Sequence, residues 1–470
     1  MLAIAGHEGV ALPLKQAALF SLKDVVNKTW ATDFEAYESQ YAGVLDDPTK
    51  QQIREGLLHL SVFSGQEPKV MSAASLIVSK IANHDYPEEW PTLLNNILAA
   101  LPTKEDSQLH GALKVLSDLM DDGLTDEQFQ EPAPRIFRDL RNIVADESRP
   151  GFRRAQAIQI FNSSIDFLEQ IQIDHGSSVL SFAQGAMDTW LPLFATILET
   201  PLSDGAHIEG PDKLARDGLI AMKVQIYKTL TKLRVMLAVL VTPHSTGLFE
   251  VTWKSLVSTQ NLYTQLYLVD EQPMRQETND HLPFSLDYLI IDQIDFLGAI
   301  LRDQEPFVRL KKNAKTSPST DTSAEDLRWL RELTSILMHY AQITLSEEAT
   351  FEMDVNLWLC DEASITADYT ARSTSGDMVN KLASHLREIA IEQLFQTIAQ
   401  TQEATSESSV FGCAVIVTAM LTASTDGEDP RPSCSSPAIC SALLQRWSDQ
   451  FRSIWLRLPR CGCLSRNYGL

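Results

Sequence analysis

One helical pattern recurs along most of this chain and limits what it can fold into. Apolar residues fall at i, i+3 and i+4 spacing through Leu14, Ala17, Ala18, Leu22, Val25 and Val26, the signature of an amphipathic helix. The spacing returns at 53–63, 70–81, 93–101, 109–120, 136–144, 155–161 and 165–168. Further helices are predicted at 179–198, 214–240, 248–268, 286–301, 327–343 and 379–398. No hairpin signature or strictly alternating run interrupts them. The second helix of each pair carries a small-residue centre, at Gln16-Ala17-Ala18, Ser72-Ala73-Ala74, Gly111-Ala112 and Arg154-Ala155-Gln156-Ala157. From Ala17 to Ala73 is 56 residues, then 39 to Ala112 and 43 to Ala155. Periods near 40 are those of HEAT or armadillo helix pairs, and the longer first gap predicts a lengthened loop. The expected fold is all-α, a right-handed superhelical solenoid of HEAT/ARM-type helix pairs.

The stretch Asp85-Tyr86-Pro87-Glu88-Glu89-Trp90-Pro91 reads as the opening of one such helix. Proline is tolerated in a first helical turn, where its missing N–H has no helical partner. Glu88 and Glu89 would then lie where the positive end of the helix dipole favours carboxylates. Trp90 starts the run Leu93, Leu94, Ile97, Leu98, Leu101 and is expected in the core rather than on a contact surface. Between the later helices, residues 200–212 are Gly/Pro-rich, and 311–321 lack periodicity and read as a flexible insertion. Its lysines beside Ser317-Pro318 suit a solvated loop or a regulated patch.

At 470 residues the chain exceeds one ordinary compact domain. Its 44% hydrophobic and 21% charged residues are those of a folded soluble protein. No run approaches the roughly 18–20 apolar residues of a membrane helix, and the first residues lack the basic region of a signal peptide. No membrane insertion is expected, and the reading points to cytosol or nucleus; Asn27-Lys28-Thr29 and Asn162-Ser163-Ser164 then mean nothing as glycosylation acceptors. The net charge is −23, and from Arg431 onward six arginines face one acid, Asp449, so the tail is +5 and the first 430 residues carry −28. An acidic body repels nucleic-acid phosphates and attracts basic proteins, although it also simply keeps a large protein soluble.

No nucleotide-binding glycine loop, zinc-protease or nucleophile-elbow motif occurs, and the histidines are scattered. We therefore expect no enzyme, no catalytic residue and no cofactor. Cys434, Cys440, Cys461 and Cys463 crowd the tail without the paired C-x-x-C knuckles of structural zinc sites, so no metal is expected either. The acids Asp118, Asp121, Asp122, Asp126 and Glu127 follow the third pair's second helix and form a candidate ridge for a basic partner. They fit an ordinary solvated loop equally well.

Three segments carry a family resemblance. Residues 13–23, with Gln16, Ala17 and Ala18, followed by Trp30, resemble the second helix of the first repeat in importin-β-type transport receptors (karyopherins). Residues 85–94, with Asp85, Pro87, Trp90 and Pro91, resemble the opening of their third repeat. Residues 353–362 and 368–373 are similar to a stretch of the importin-9 branch, with its acids reduced to Asp361, Glu362 and Asp368. The resemblance implies a receptor that shuttles between cytoplasm and nucleus, binds Ran-GTP and FG-nucleoporins, and carries basic cargo such as core histones. It makes Lys23 and Lys28 candidate Ran contacts by position, puts the Asp118 ridge near the concave inner surface, and adds Asp361 and Glu362 to the partner-binding residues.

The organisation it implies is an importin N-terminal region at 1–103 with an incomplete first helix, and further HEAT repeats at 104–403 with an insertion at 311–326. An atypical Cys/Arg-rich tail follows at 404–470. The family's chains run to about twice this length, so the expectation is roughly the first eight repeats of a truncated receptor. The tail then reads as a gene-model artefact, with a short isoform as the alternative. Competing functional readings are a HEAT-repeat interaction scaffold and an exportin-type receptor, in which Ran-GTP raises cargo binding.

Overall fold

The structure is a computed structural model that describes residues 1–34, 37, 43–63, 67–316, 323–354 and 369–402. The described residues contain no strand, only one isolated bridge between Glu277 and Pro283. The all-α expectation holds. The chain divides into two compact units, Met1–Gln304 with Ile343–Thr374, and Glu305–Gln342 with Ser375–Leu470.

The first unit is a row of helix pairs. Its helices are α1 (Leu2–Gly6), α2 (Leu12–Thr29), α3 (Asp47–Leu58), α4 (Pro68–Asp85), α5 (Leu93–Ala100) and α6 (Asp106–Asp118). There follow α7 (Asp126–Gln130), α8 (Ala133–Ala145), α9 (Gly151–Glu199), α10 (Gly210–Met236), α11 (Ala238–Val241), α12 (Ser245–Tyr263) and α13 (Leu286–Ile300). Helix α9 is folded back on itself. Phe161 stacks on Trp190 at 3.9 Å between ring centroids, whereas a straight rod would hold them about 43 Å apart. Its first arm packs on α8, with the rings of Phe161 and Phe137 5.0 Å apart, and the end of its second arm pairs with α10 through the Leu198 carbonyl and Lys223. The second helices of successive pairs (α2, α4, α6, the first arm of α9, α10 and α13) pack side by side as one layer.

The small-residue centres serve this layer. Ala18, Ala74, Ala112, Ala155 and Ala157 are buried. One close approach is between glycines: a Cβ on Gly151 would meet the Cα of Gly218 at 2.8 Å, so α9 and α10 touch backbone to backbone. Lys223 ties the same junction from inside. Its amine donates to the carbonyls of Leu198 at 2.9 Å and Thr200 at 2.6 Å, closing the end of α9, and burial lowers its pKa to about 8.

Several expectations need correction. Leu14 and Ala17 do not face the core; Leu14 is 62% exposed, as is Phe20 at 58%. The helix expected to open at Pro87 starts instead at Leu93. The Asp85 carbonyl accepts the amides of Glu89 at 2.8 Å and Trp90 at 2.9 Å, which makes 86–90 a compact turn.

The second unit contains α14 (Glu305–Thr316) and α15 (Ala324–Tyr340), and α16 (Leu345–Met353) returns to the first unit. Then come α17 (Ala371–Leu386) and α18 (Glu388–Gln402). Residues 311–316, expected within a flexible insertion, are helical and continue α14, one face of which is buried through Phe307 and Leu310. The Asp326 carboxylate fastens α15 to α14 by accepting from Arg309, while the Ser323 hydroxyl accepts from the Asp326 amide as the helix cap. The single helix expected at 379–398 is broken at Arg387, whose φ of 50° is left-handed. No described helix is long and apolar enough to cross a membrane.

Candidate partner-binding surface

The motif residues Trp30 and Asp85, 55 positions apart, meet in one buried network. Asp85, at the C-terminal end of α4, is 1% exposed and accepts from the Trp30 indole at 3.1 Å. The Arg54 guanidinium on α3 donates to the same carboxylate at 2.8 Å and lies over the Trp30 ring. A buried carboxylate is tolerated only when paired and hydrogen-bonded, and this one receives both. One aspartate therefore joins α2, α3 and α4, while its backbone carbonyl shapes the following turn. Trp90 is 4% exposed and packs in the core, whereas Pro87 and Pro91 are on the surface. Gln16 is half-buried.

His84 extends the network outward, 2.7 Å from Asp85 and 3.0 Å from Asp33. Burial opposes its charge, but the two carboxylates outweigh it and raise the imidazole pKa above the usual histidine value. A raised folded-state pKa stabilises below the unfolded value of about 6.5 and loses that contribution as pH rises through the folded one. His84→Gln should therefore lower the thermal midpoint more at pH 6 than at pH 8.5. An equal deficit at both would show that the imidazolium is not what the acids hold.

The proposed contact residues fare differently. Lys23 is half-buried on α2, and Lys28 pairs with Asp24 at 3.2 Å. Asp118 is no free ridge residue. It accepts from Ser75 at 2.6 Å and Lys114 at 2.8 Å, and its carbonyl accepts from Ser79, so it fastens α6 to α4. Asp121 is exposed on the π-helical turn Leu119–Gly123, which also carries Asp122, whose side chain lies outside the described residues. Asp361 and Glu362 also lie outside them. Among the described residues no group of His, Cys, Asp and Glu could hold a metal ion.

Sequence reasoning missed one groove in the second-helix layer. Between α10 and α13 it runs open over about 370 Å³, with Lys228 and Lys232 facing Asp292 and Asp295 across Thr231, Val235 and Met236. One oxygen of Asp292 is enclosed there without a hydrogen-bond partner. Burial pushes its carboxyl pKa up to about 7, against the pull of Lys228 and with the help of Asp295. Nothing in the local sequence marks it, because Asp292 is one of three aspartates, with Asp287 and Asp295, spaced along a largely apolar helix.

Comparison with known proteins fits this architecture. Residues 324–433 match the family model described as importin-9 central HEAT repeats, a match running past the boundary expected at 403. The chain is 25% identical over 379 residues to importin subunit beta-5 of Schizosaccharomyces pombe, covering 80% of this chain and 36% of that one. It is 21% identical over 397 residues to importin-9 of Drosophila melanogaster, covering 83% and 35%. The chain thus spans about a third of the length of these relatives, less than the half expected. Among solved structures, the cargo-free exportin Cse1 has the same fold at a TM-score of 0.55 and 14% identity, covering 90% of this chain and 42% of that one. Kap95p in a structure with RanGDP aligns at a TM-score of 0.52 and 12% identity, covering 89% and 41%. In sequence over most of its length, and in its layered helix pairs, the chain is similar to members of the importin-β superfamily.

Proposed function

We propose that the chain is part of a nuclear transport receptor that binds Ran-GTP and carries basic protein cargo into the nucleus. The observation that carries this reading is the −28 charge on the first 430 residues of a chain related to importins. Charge complementarity speeds encounter with a basic partner and rejects acidic ones. Core histones are the cargo class that suits this charge best. The relatedness to importins also supports shuttling through the nuclear pore, contact with FG-nucleoporins, and a binding role rather than an enzymatic one. Ran would sit on the second helices of the first pairs, where α2 offers Lys23 and Lys28.

The test is a pull-down at about 150 mM salt, near physiological ionic strength, with Ran carrying a non-hydrolysable GTP analogue and with purified core-histone dimers. Binding of both, with Ran-GTP displacing the histones, is the expected result; binding of neither would end the proposal. Charge reversal of Lys23 and Lys28 to glutamate should weaken Ran-GTP binding about tenfold or more, with the on-rate and salt dependence most affected. The fold similarity to Cse1 favours one second reading, an exportin-type receptor. Cargo binding that strengthens with Ran-GTP would select it.

A further inference from the structure

In a stack of helix pairs each repeat touches only its neighbours. The connection from α12 to α13, residues 270–285, breaks that rule. It leaves α12 beside the turn before α10, with Asp270 3.4 Å from His207. It then forms a short hairpin, closed where Thr278 donates to the Leu282 carbonyl and Phe284 to that of Gln276, each at 3.0 Å. Phe284 packs edge-on against Phe152 in the first turn of α9, with ring centroids 5.5 Å apart. At the tip, Asp280 meets His110 of α6 at 2.6 Å, 170 positions away in sequence. Both side chains are largely buried, at 13% and 7% exposure, and Leu282 beside them is 3% exposed. The His110 hydrogen bond holds the Asp280 carboxyl below its ordinary range despite burial, with Lys114 of α6 and Arg153 of α9 adding their charge.

We propose that this hairpin is a latch that clamps the third to sixth helix pairs into one mechanically coupled block, closed by the Asp280–His110 contact. Contacts between neighbouring pairs alone leave each junction free to flex on its own. A strap anchored beside α10, on α9 and on α6 makes three junctions move together and fixes the spacing of the second helices between them. Releasing Asp280 frees the tip first, because the Phe284 and Asp270 contacts lie nearer the strap's own root on α12 and α13.

Hydrogen-exchange mass spectrometry on the full chain tests this, comparing wild type with Asp280→Ala, His110→Gln and, as a control at the exposed tip, Asn279→Ala. Asp280→Ala and His110→Gln should each accelerate exchange at least about tenfold in residues 270–285 and at the starts of α6, α9 and α10, where local opening would become independent. Helices α2 to α4 and the Asn279→Ala protein should exchange as wild type. Faster exchange confined to 270–285 would make the hairpin an ordinary loop and overturn the proposal. So would wild-type exchange in either latch variant, or acceleration that also reaches α2 to α4, which would signal general destabilisation.

Discussion

Asp85→Ala should destabilise the first two helix pairs by about 3–5 kcal/mol, the range for removing one partner of a buried ion pair. The carboxylate it removes is the shared acceptor of the Arg54 guanidinium and the Trp30 indole. Both donors would stay buried, Arg54 at 6% exposure and Trp30 fully enclosed. Substituting the acid therefore loses the pair and leaves a desolvated charge beside an unpaired N–H. A stack of repeats does not melt as one unit. The measurement is accordingly amide exchange in α2 and α4, with Trp30 fluorescence against urea as a second probe. Asp33→Ala serves as control, since Asp33 is exposed and touches only the outer edge of the network. A deficit for Asp85→Ala no larger than the control's would mean that the three helices are held by apolar packing alone.

Gly111→Ala should be damaging for the opposite reason, since it adds an atom where no space exists. Its Cβ would lie 2.1 Å from the Ser61 carbonyl oxygen, 2.7 Å from the Met71 side chain and 3.0 Å from the Val62 Cα. The first and last obstacles are backbone, within the π-helical turn His59–Phe63 that closes α3. Helix α6 would have to withdraw from α3 and α4, and overpacking of this kind costs about 1–3 kcal/mol, here at the upper end. Gly185→Ala on the second arm of α9 gives the contrast, because a Cβ there meets nothing within 4 Å. It should stabilise by up to about 1 kcal/mol, since glycine in an open helix gives up backbone entropy for no contact. Thermal midpoints moving in opposite directions are the expected pattern. A neutral Gly111→Ala would show that the π-helical turn can yield.

These two sites mark how far local pattern reaches. Both were visible as motifs, Asp85 within D-x-P-x-x-W-P and Gly111 within a small-residue centre, yet their partners were not. Arg54 is a lone arginine in a helix with no motif, and Ser61 contributes only a backbone carbonyl. The Asp118 run shows the same gap in partners. Nothing in a run of acids tells that Ser75 and Lys114 hold its first member.

Period by itself determined most of the helices and the small residues of the second-helix layer, because these follow from which residues fall on one face of a helix a few turns long, and composition determined the acidic body. Tertiary structure alone decided the meeting of Trp30, Arg54 and Asp85, the folding back of α9 onto itself, and the reach of Asp280 to His110. Each of these joins groups far apart in the chain, and helical spacing carries no information about which distant face a side chain will meet.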